Sequence, residues 1–340
     1  MTSIELPPIG IAGLGIYIPS TVLTGQEIAA RADLPEFVVL DKMGIHQVHL
    51  AGPDDTVTAM ASQAGQRALD MAGLDAKDVD LIVYHGSEYK DHIVWSAASK
   101  IQNLLGATNA AAFEMYALCA GAPIAYKAVR DMMRLDPRLQ NVLLVSASRE
   151  NDLIDFSNGR TRFMFNFGAG GGALLFQRGL DRNLVLESSI RTDGTLADTV
   201  VMTPAEEGIA LLPSEMGTLH GRLDVQNADY MGERLGEVSL GRFVEVITEA
   251  IELSGYTLAD LRFLGITHMK ASFYREILGA VGLTPEQSVY LQDYGHIQSV
   301  DQPLALELGL AQGKIKPGDL IVLAGAGTGY TWSATAFRWG

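Results

Sequence analysis

At 340 residues the chain can hold two domains or one duplicated unit, and its formal net charge of −15 lacks the basic footprint of a nucleic-acid binder. Hydrophobic residues are 48% and charged residues 19%, the balance of a globular protein with a large core, and no run reaches the roughly 18 apolar residues of a membrane span. One cysteine excludes an intramolecular disulfide, and Met1 to Pro8 lack the pattern of a secretory signal, so the expectation is a cytoplasmic protein without membrane attachment.

The chain opens on a glycine-interrupted strand, Ile11 to Tyr17, and Thr24 is placed to cap a short helix into Ala30. Pro35 to Asp41 leads into a turn at Met43-Gly44-Ile45. Val57, Met60, Ala61, Ala64, Ala68, Leu69 and Ala72 recur at helical spacing within Asp54 to Ala72, with Gly73 as the stop. Leu81 to Tyr84 reads as a buried strand, and Ser96 to Leu105 as a helix closed by Gly106. An apolar run then climbs from Ala111 to Cys119, and Pro123 with Ile124, Ala125, Ala128, Val129, Met132 and Met133 announces a helix.

This arrangement predicts a thiol at a strand-to-helix turn, where a helix N-terminus favours the nucleophilic thiolate. A lone cysteine is more often a small buried hydrophobe, so the case for chemistry depends on its surroundings. Asn141 to Ala147 reads as the next strand, and Phe167 to Phe176 as a glycine-rich turn joining two strands. Its spacing matches neither the dinucleotide fingerprint nor a P-loop. Arg191 to Leu240 shows no clean period and reads as surface loops over the core, a candidate part of a substrate or partner channel, before a helix from Arg242 to Leu253.

The second half echoes the first. Gly73 and Gly255, Pro123 and Pro303, and Val142 and Leu320 pair at near-constant offset, which predicts a duplicated α/β protein with halves at 1–180 and 181–340. Strands alternating with helices in both halves predict mostly parallel sheets. The duplication also places the loop carrying His268 and the turn Tyr294-Gly295-His296 near Cys119, so that three reactive side chains share one pocket.

Several stretches resemble one family over essentially the whole chain. Phe113-Glu114-Met115-Tyr116-Ala117-Leu118-Cys119-Ala120-Gly121 resembles the nucleophile motif of the thiolase-fold condensing enzymes, in particular the ketoacyl-ACP synthase III branch. Phe167 to Ala173 resembles its F-G-D-G-A-G-A segment, with Ala169 in place of Asp. Gly325 to Trp332 resembles its C-terminal glycine-rich turn, and Ser96 to Gln102 the helix beside its dimer interface. The family's H-Q-A-N stands here as His268-Met269-Lys270-Ala271. Its G-N-T-S turn stands as Gly295-His296-Ile297-Gln298, so a histidine replaces the branch's asparagine.

The resemblance implies a thiolase-like α-β-α-β-α fold of two mixed-sheet halves and a catalytic set of Cys119, His268 and His296. Cys119 would take an acyl group, with the backbone N–H groups of Cys119 and Thr328 as oxyanion hole. Both imidazoles would then stabilise the enolate formed as a malonyl-type thioester loses CO2. This makes the chain a 3-oxoacyl-ACP synthase III-like acyltransferase of a specialised fatty acid or polyketide-type pathway. Two alternatives stay open: transfer of the same acyl group to oxygen, nitrogen or water, and a scaffold subunit paired with an active homologue.

The family comparison further implies a homodimer, with a heteromer as the alternative, and acyl-CoA or a phosphopantetheinyl carrier protein as substrate, with no cofactor or metal. Phe37 and Lys42 stand in the region of the family's coenzyme A contacts, and Arg160 and Arg162 near another family arginine. Val94, Trp95 and Tyr116 are candidates for shaping the pocket. Lys42, Lys270 and Arg275 form a candidate basic patch for an acidic carrier. His46, His49, His85, His92 and His220 match no family position.

Overall fold

The structure is a computed structural model and describes residues 6–92, 94–204 and 221–340. His220 therefore lies outside the described residues, as does part of the stretch read as loops.

The first half lays down β1 (Ile9–Tyr17), the small hairpin partners β2 (Thr21–Thr24) and β3 (Gln47–Leu50), and α1 (Gly25–Arg31) between them. Thr24 caps α1 as expected, and Glu27 completes a reciprocal capping box with it. Helix α2 (Val57–Ala72) begins at its Thr56 cap and stops at Gly73, whose φ of +67° is left-handed. Then come β4 (Leu81–Tyr84), α3 (Ala97–Leu105), β5 (Ala111–Glu114), α4 (Gly121–Leu135), β6 (Asn141–Ser148) and β7 (Gly170–Arg178).

The second half runs β8 (Leu184–Thr192), the hairpin β9 (Val200–Pro204) and β10 (Gly221–Val225), α5 (Ala228–Leu253), β11 (Leu261–Ile266), α6 (Ala271–Ala280), α7 (Asp301–Ala311), β12 (Leu320–Gly327) and β13 (Thr331–Arg338).

Nine strands follow in the order β11-β12-β13-β8-β1-β7-β6-β4-β5. The two centre strands, β1 and β8, touch at a single pair, Gly10 with Leu184, so the array divides there into two sheets. Each is mixed: β4 runs parallel to β5 and β6 while β7 is antiparallel, and β11 runs parallel to β12 while β13 is antiparallel. Helices α4 and α7 pack against strands of both sheets. Helix α2 covers one outer face and α5 the other. The result is the α-β-α-β-α layering expected of a thiolase-like fold. Tyr126 on α4 shows how the middle layer binds the halves: its ring meets Phe176 of β7 at 5.8 Å and Phe337 of β13 at 5.9 Å.

Three local expectations need correction. The strand before Cys119 ends at Glu114, because Glu114 turns inward to accept from the backbone of Ala97 and Ala98 at the start of α3 and to pair with Lys90. Gly170, Gly171 and Gly172 are not a turn but the beginning of β7. They let α2 close onto the sheet, since a Cβ on Gly171 would lie 2.5 Å from the Met60 carbonyl. Helix α5 starts at Ala228 on its Asn227 cap, well before Arg242. Its Gly232, Gly236 and Gly241 have nothing near a would-be Cβ, so they blur the periodicity without marking a break.

Candidate active site

Cys119 sits in a 3₁₀ turn, Leu118–Ala120, directly before α4. The preceding Leu118 holds φ at +49°, a left-handed conformation that costs a non-glycine residue about 1–3 kcal/mol and recurs at functional turns. The thiol is 5% exposed.

His296 arrives from the other half, on a turn that only glycine can lead. Gly295 has φ +72°, and a Cβ there would fall 2.1 Å from the Asn166 carbonyl. The same carbonyl accepts from the His296 N–H at 2.7 Å and fixes the turn. His296 Nε2 lies 2.9 Å from Cys119 Sγ, and its Nδ1 lies 2.6 Å from Asp301 Oδ2. Nδ1–H donates to the carboxylate, which points Nε2 at the sulfur.

Asp301 opens α7 and is fully buried. It also accepts from the backbone N–H of His268 at 2.8 Å and of Ile297 at 2.7 Å. Burial works against charge on His296, but the Asp301 carboxylate and the Cys119 sulfur outweigh it and hold the imidazole well above its ordinary pKa. Cys119, His296 and Asp301 thus form one hydrogen-bonded relay.

His268 is brought to the same region, and its backbone shares Asp301, but its ring is committed elsewhere. Nε2 lies 3.1 Å from the Gly44 carbonyl and can only donate to it. Nδ1 is then the acceptor for Asn166 Nδ2–H at 2.8 Å. Tyr290 stacks on the ring at 4.9 Å, its hydroxyl donating to the Met269 carbonyl at 2.8 Å. Burial pushes the His268 pKa down to about 4, so the ring is neutral near pH 7. In this arrangement the one N–H of His268 is donated to the Gly44 carbonyl, and of the two imidazoles His296 is the one that meets the Cys119 sulfur.

A cavity of about 350 Å³ adjoins Cys119. Leu153, Met164, Phe167, Val201 and Leu223 supply apolar wall, and Thr328 lines it from the turn after β12. The other expected substrate residues lie outside this lining. Phe37 and Lys42 are exposed on the turn before Gly44, with the ammonium 5.2 Å from the ring centre. Lys270 and Arg275 are exposed on α6 and at its start, and α6 packs beside that turn.

Val94 is fully exposed, Trp95 packs edge-on to His92 at 5.2 Å, and Tyr116 accepts from Lys90 Nζ at 2.6 Å. Arg160 is held by Asp224 through Nη2 at 2.9 Å. Asp301 and Asn166 were missed. The signal for Asp301 was an acid five residues after His296 at the head of a helix carrying Pro303 in its first turn.

With this geometry in view, the relatives are informative. The family model described as "3-Oxoacyl-[acyl-carrier-protein (ACP)] synthase III" matches residues 113–194, and its C-terminal counterpart matches 251–339. The beta-ketoacyl-[acyl-carrier-protein] synthase III of Agrobacterium fabrum is 30% identical over 336 residues, covering 97% of this chain and 98% of its own. The chain belongs to the beta-ketoacyl-ACP synthase III family.

Solved structures agree on the fold of this family. The synthase III of Aquifex aeolicus superposes with a TM-score of 0.83 at 25% identity, over 97% of this chain and 100% of its own. A priming beta-ketosynthase from the R1128 polyketide biosynthetic pathway gives 0.85 at 24% identity, over 100% of this chain and 98% of its own. Membership makes the chain a synthase-type transferase. Among the described residues no three metal-ligating side chains are grouped, and no helix is long and apolar enough to cross a membrane.

Proposed function

We propose that this family member accepts an acyl group on Cys119 from a thioester donor, acyl-CoA or an acyl-carrier protein, and passes it to a hydroxyl or amine without decarboxylation. One observation carries the reading: His296 is bound to both Cys119 and Asp301, while His268 has no free N–H. A relay of this kind moves one proton at a time, which is what acyl transfer requires.

In the first half-reaction Sγ attacks the thioester carbonyl and the oxyanion rests on the N–H groups of Cys119 and Thr328. The C–S bond to the donor breaks, and the proton taken up by His296 leaves with the donor thiol. In the second, Nε2 removes the acceptor's proton as its oxygen or nitrogen attacks the acyl-enzyme. The bond to Sγ breaks, and the proton on His296 restores the resting pair. Asp301 acts through His296 as a positioning residue and stabilises the imidazolium.

Family membership favours a second reading, condensation with a malonyl-type thioester. It would ask His296 alone to serve the enolate, where the resemblance led us to expect two imidazoles. The completed relay also supports activity in this chain over a scaffold role. Exposed Lys42, Lys270 and Arg275 are the proposed landing point for an acidic carrier on an otherwise acidic protein.

The test is intact-protein mass spectrometry after incubation with acetyl-, butyryl- and hexanoyl-CoA and the same acyl groups on a carrier protein, followed by hydroxylamine as a small acceptor. An adduct absent from Cys119→Ala, and discharged as hydroxamate far more slowly in His296→Asn, is the expected result. No adduct with any donor would overturn it.

A further inference from the structure

The cavity beside Cys119 carries polar groups that the relay does not use. Glu150, 8% exposed, lines it from the segment after β6, and Ser87 Oγ donates to its Oε1 at 2.6 Å. Gln298, 2% exposed, lines it from the turn after His296, with its backbone in the left-handed region at φ +51°. A carboxylate neighbour orients the amide so that its NH2 faces the acid, which leaves the amide oxygen pointing elsewhere. That oxygen, Gln298 Oε1, is buried and has no hydrogen-bond partner.

An unpaired buried acceptor costs about 1–3 kcal/mol, so one on a residue that lines a cavity gains when a ligand supplies the donor. Glu88 adds a second carboxylate to the lining, and no lysine or arginine is found among the lining residues described. The wall is therefore rich in acceptors and lacks cationic donors.

We infer that the acyl group carried by Cys119 bears a hydrogen-bond donor, a hydroxyl or an amine, which is read by Gln298 Oε1 and the Glu150 carboxyl. The inference rests on the acyl-transfer reading above and names its substrate class. A purely aliphatic chain would leave Gln298 Oε1 without a partner, and a carboxylate-bearing chain would meet Glu150 and Glu88 with like charge. Burial pushes the Glu150 pKa up while the Ser87 hydroxyl and Gln298 amide pull it down. Sites built to bind a substrate hydroxyl or amine discriminate strongly against analogues lacking it, because their own polar groups are then stranded.

The test compares loading rates of Cys119, read by intact mass, across CoA thioesters of equal length. The set is butyryl, 2-, 3- and 4-hydroxybutyryl, 4-aminobutyryl and succinyl. At least one hydroxyl- or amino-bearing chain is expected to load tenfold or more faster than butyryl and succinyl, and which of them does so tells alcohol from amine. Glu150→Gln and Gln298→Asn are expected to shrink that ratio below about threefold. The second tolerates the left-handed backbone and withdraws the amide oxygen.

Butyryl or succinyl loading as fast as every donor-bearing chain would overturn the inference and leave acyl transfer standing. So would a ratio unchanged in a variant that melts like the parent. No loading from any thioester would overturn both.

Discussion

Asp301→Asn keeps the size of the side chain and removes the charge that fixes the His296 tautomer. The expected result is a fall in Cys119 loading of about 10³-fold or more, with the fold intact by circular dichroism. Nuclear magnetic resonance of His296 should show its pKa dropping at the same time, a change that a merely structural residue would not produce. His268 gives the opposite expectation: His268→Gln should leave loading at Cys119 largely in place, because its ring nitrogens are engaged by Gly44 and Asn166.

The sign of the His268 effect appears in stability. Its folded pKa of about 4 lies below the ordinary value of 6.5, so the unfolded chain binds the proton first. Stability is therefore lost as pH falls from 6.5 to 4, at about 1.4 kcal/mol per pH unit for one proton, and the variant should lose that part of the slope in denaturation curves. Cys119 stood out in the sequence because its residue type matches the family's nucleophile motif, and His296 because it takes the place of the branch's asparagine in a matched turn. The commitment of the His268 ring did not, because its partner Gly44 lies 224 residues away. Asp301 was hidden by its place, since an acid at a helix start is explained by the helix dipole alone.

The turns that deliver these side chains matter as much as the side chains. Gly295→Ala puts a methyl into both a left-handed backbone and the Asn166 carbonyl, so a loss of about 2 kcal/mol or more and a collapse of loading are expected together. Thermal denaturation and the loading assay read the two effects. Most elements of the first half were visible from apolar spacing and from caps such as Thr24 and Gly73. One element in each half was obscured by glycine. In β7 the glycines serve a close approach of α2, and in α5 they stand where nothing packs against them. In β7 glycine answers to tertiary packing, which a one-dimensional pattern does not display, and in α5 it only interrupts the periodicity.

The whole molecule is two mixed sheets that share one residue pair and a common middle layer of helices, with the relay assembled across their junction: Cys119 from the first half, His296 and Asp301 from the second. Tyr126 tests that layer. Tyr126→Ala removes a ring packed against both sheets and should cost about 3–5 kcal/mol in chemical denaturation. Tyr126→Phe removes only a buried hydroxyl that has no partner, and should be neutral or stabilising.

The union of the two sheets through α4 and α7 depends on contacts far apart in sequence, which a linear pattern does not display. The measurement that bears most directly on the proposed chemistry is evolution of labelled CO2 when the acyl-enzyme meets carboxyl-labelled malonyl-CoA or malonyl-carrier protein, with a hydroxyl or amine acceptor in a parallel reaction. Acyl transfer expects the acceptor to be acylated with no CO2 above the Cys119→Ala background. Stoichiometric CO2 and a ketoacyl product, with the acceptor left untouched, would contradict it.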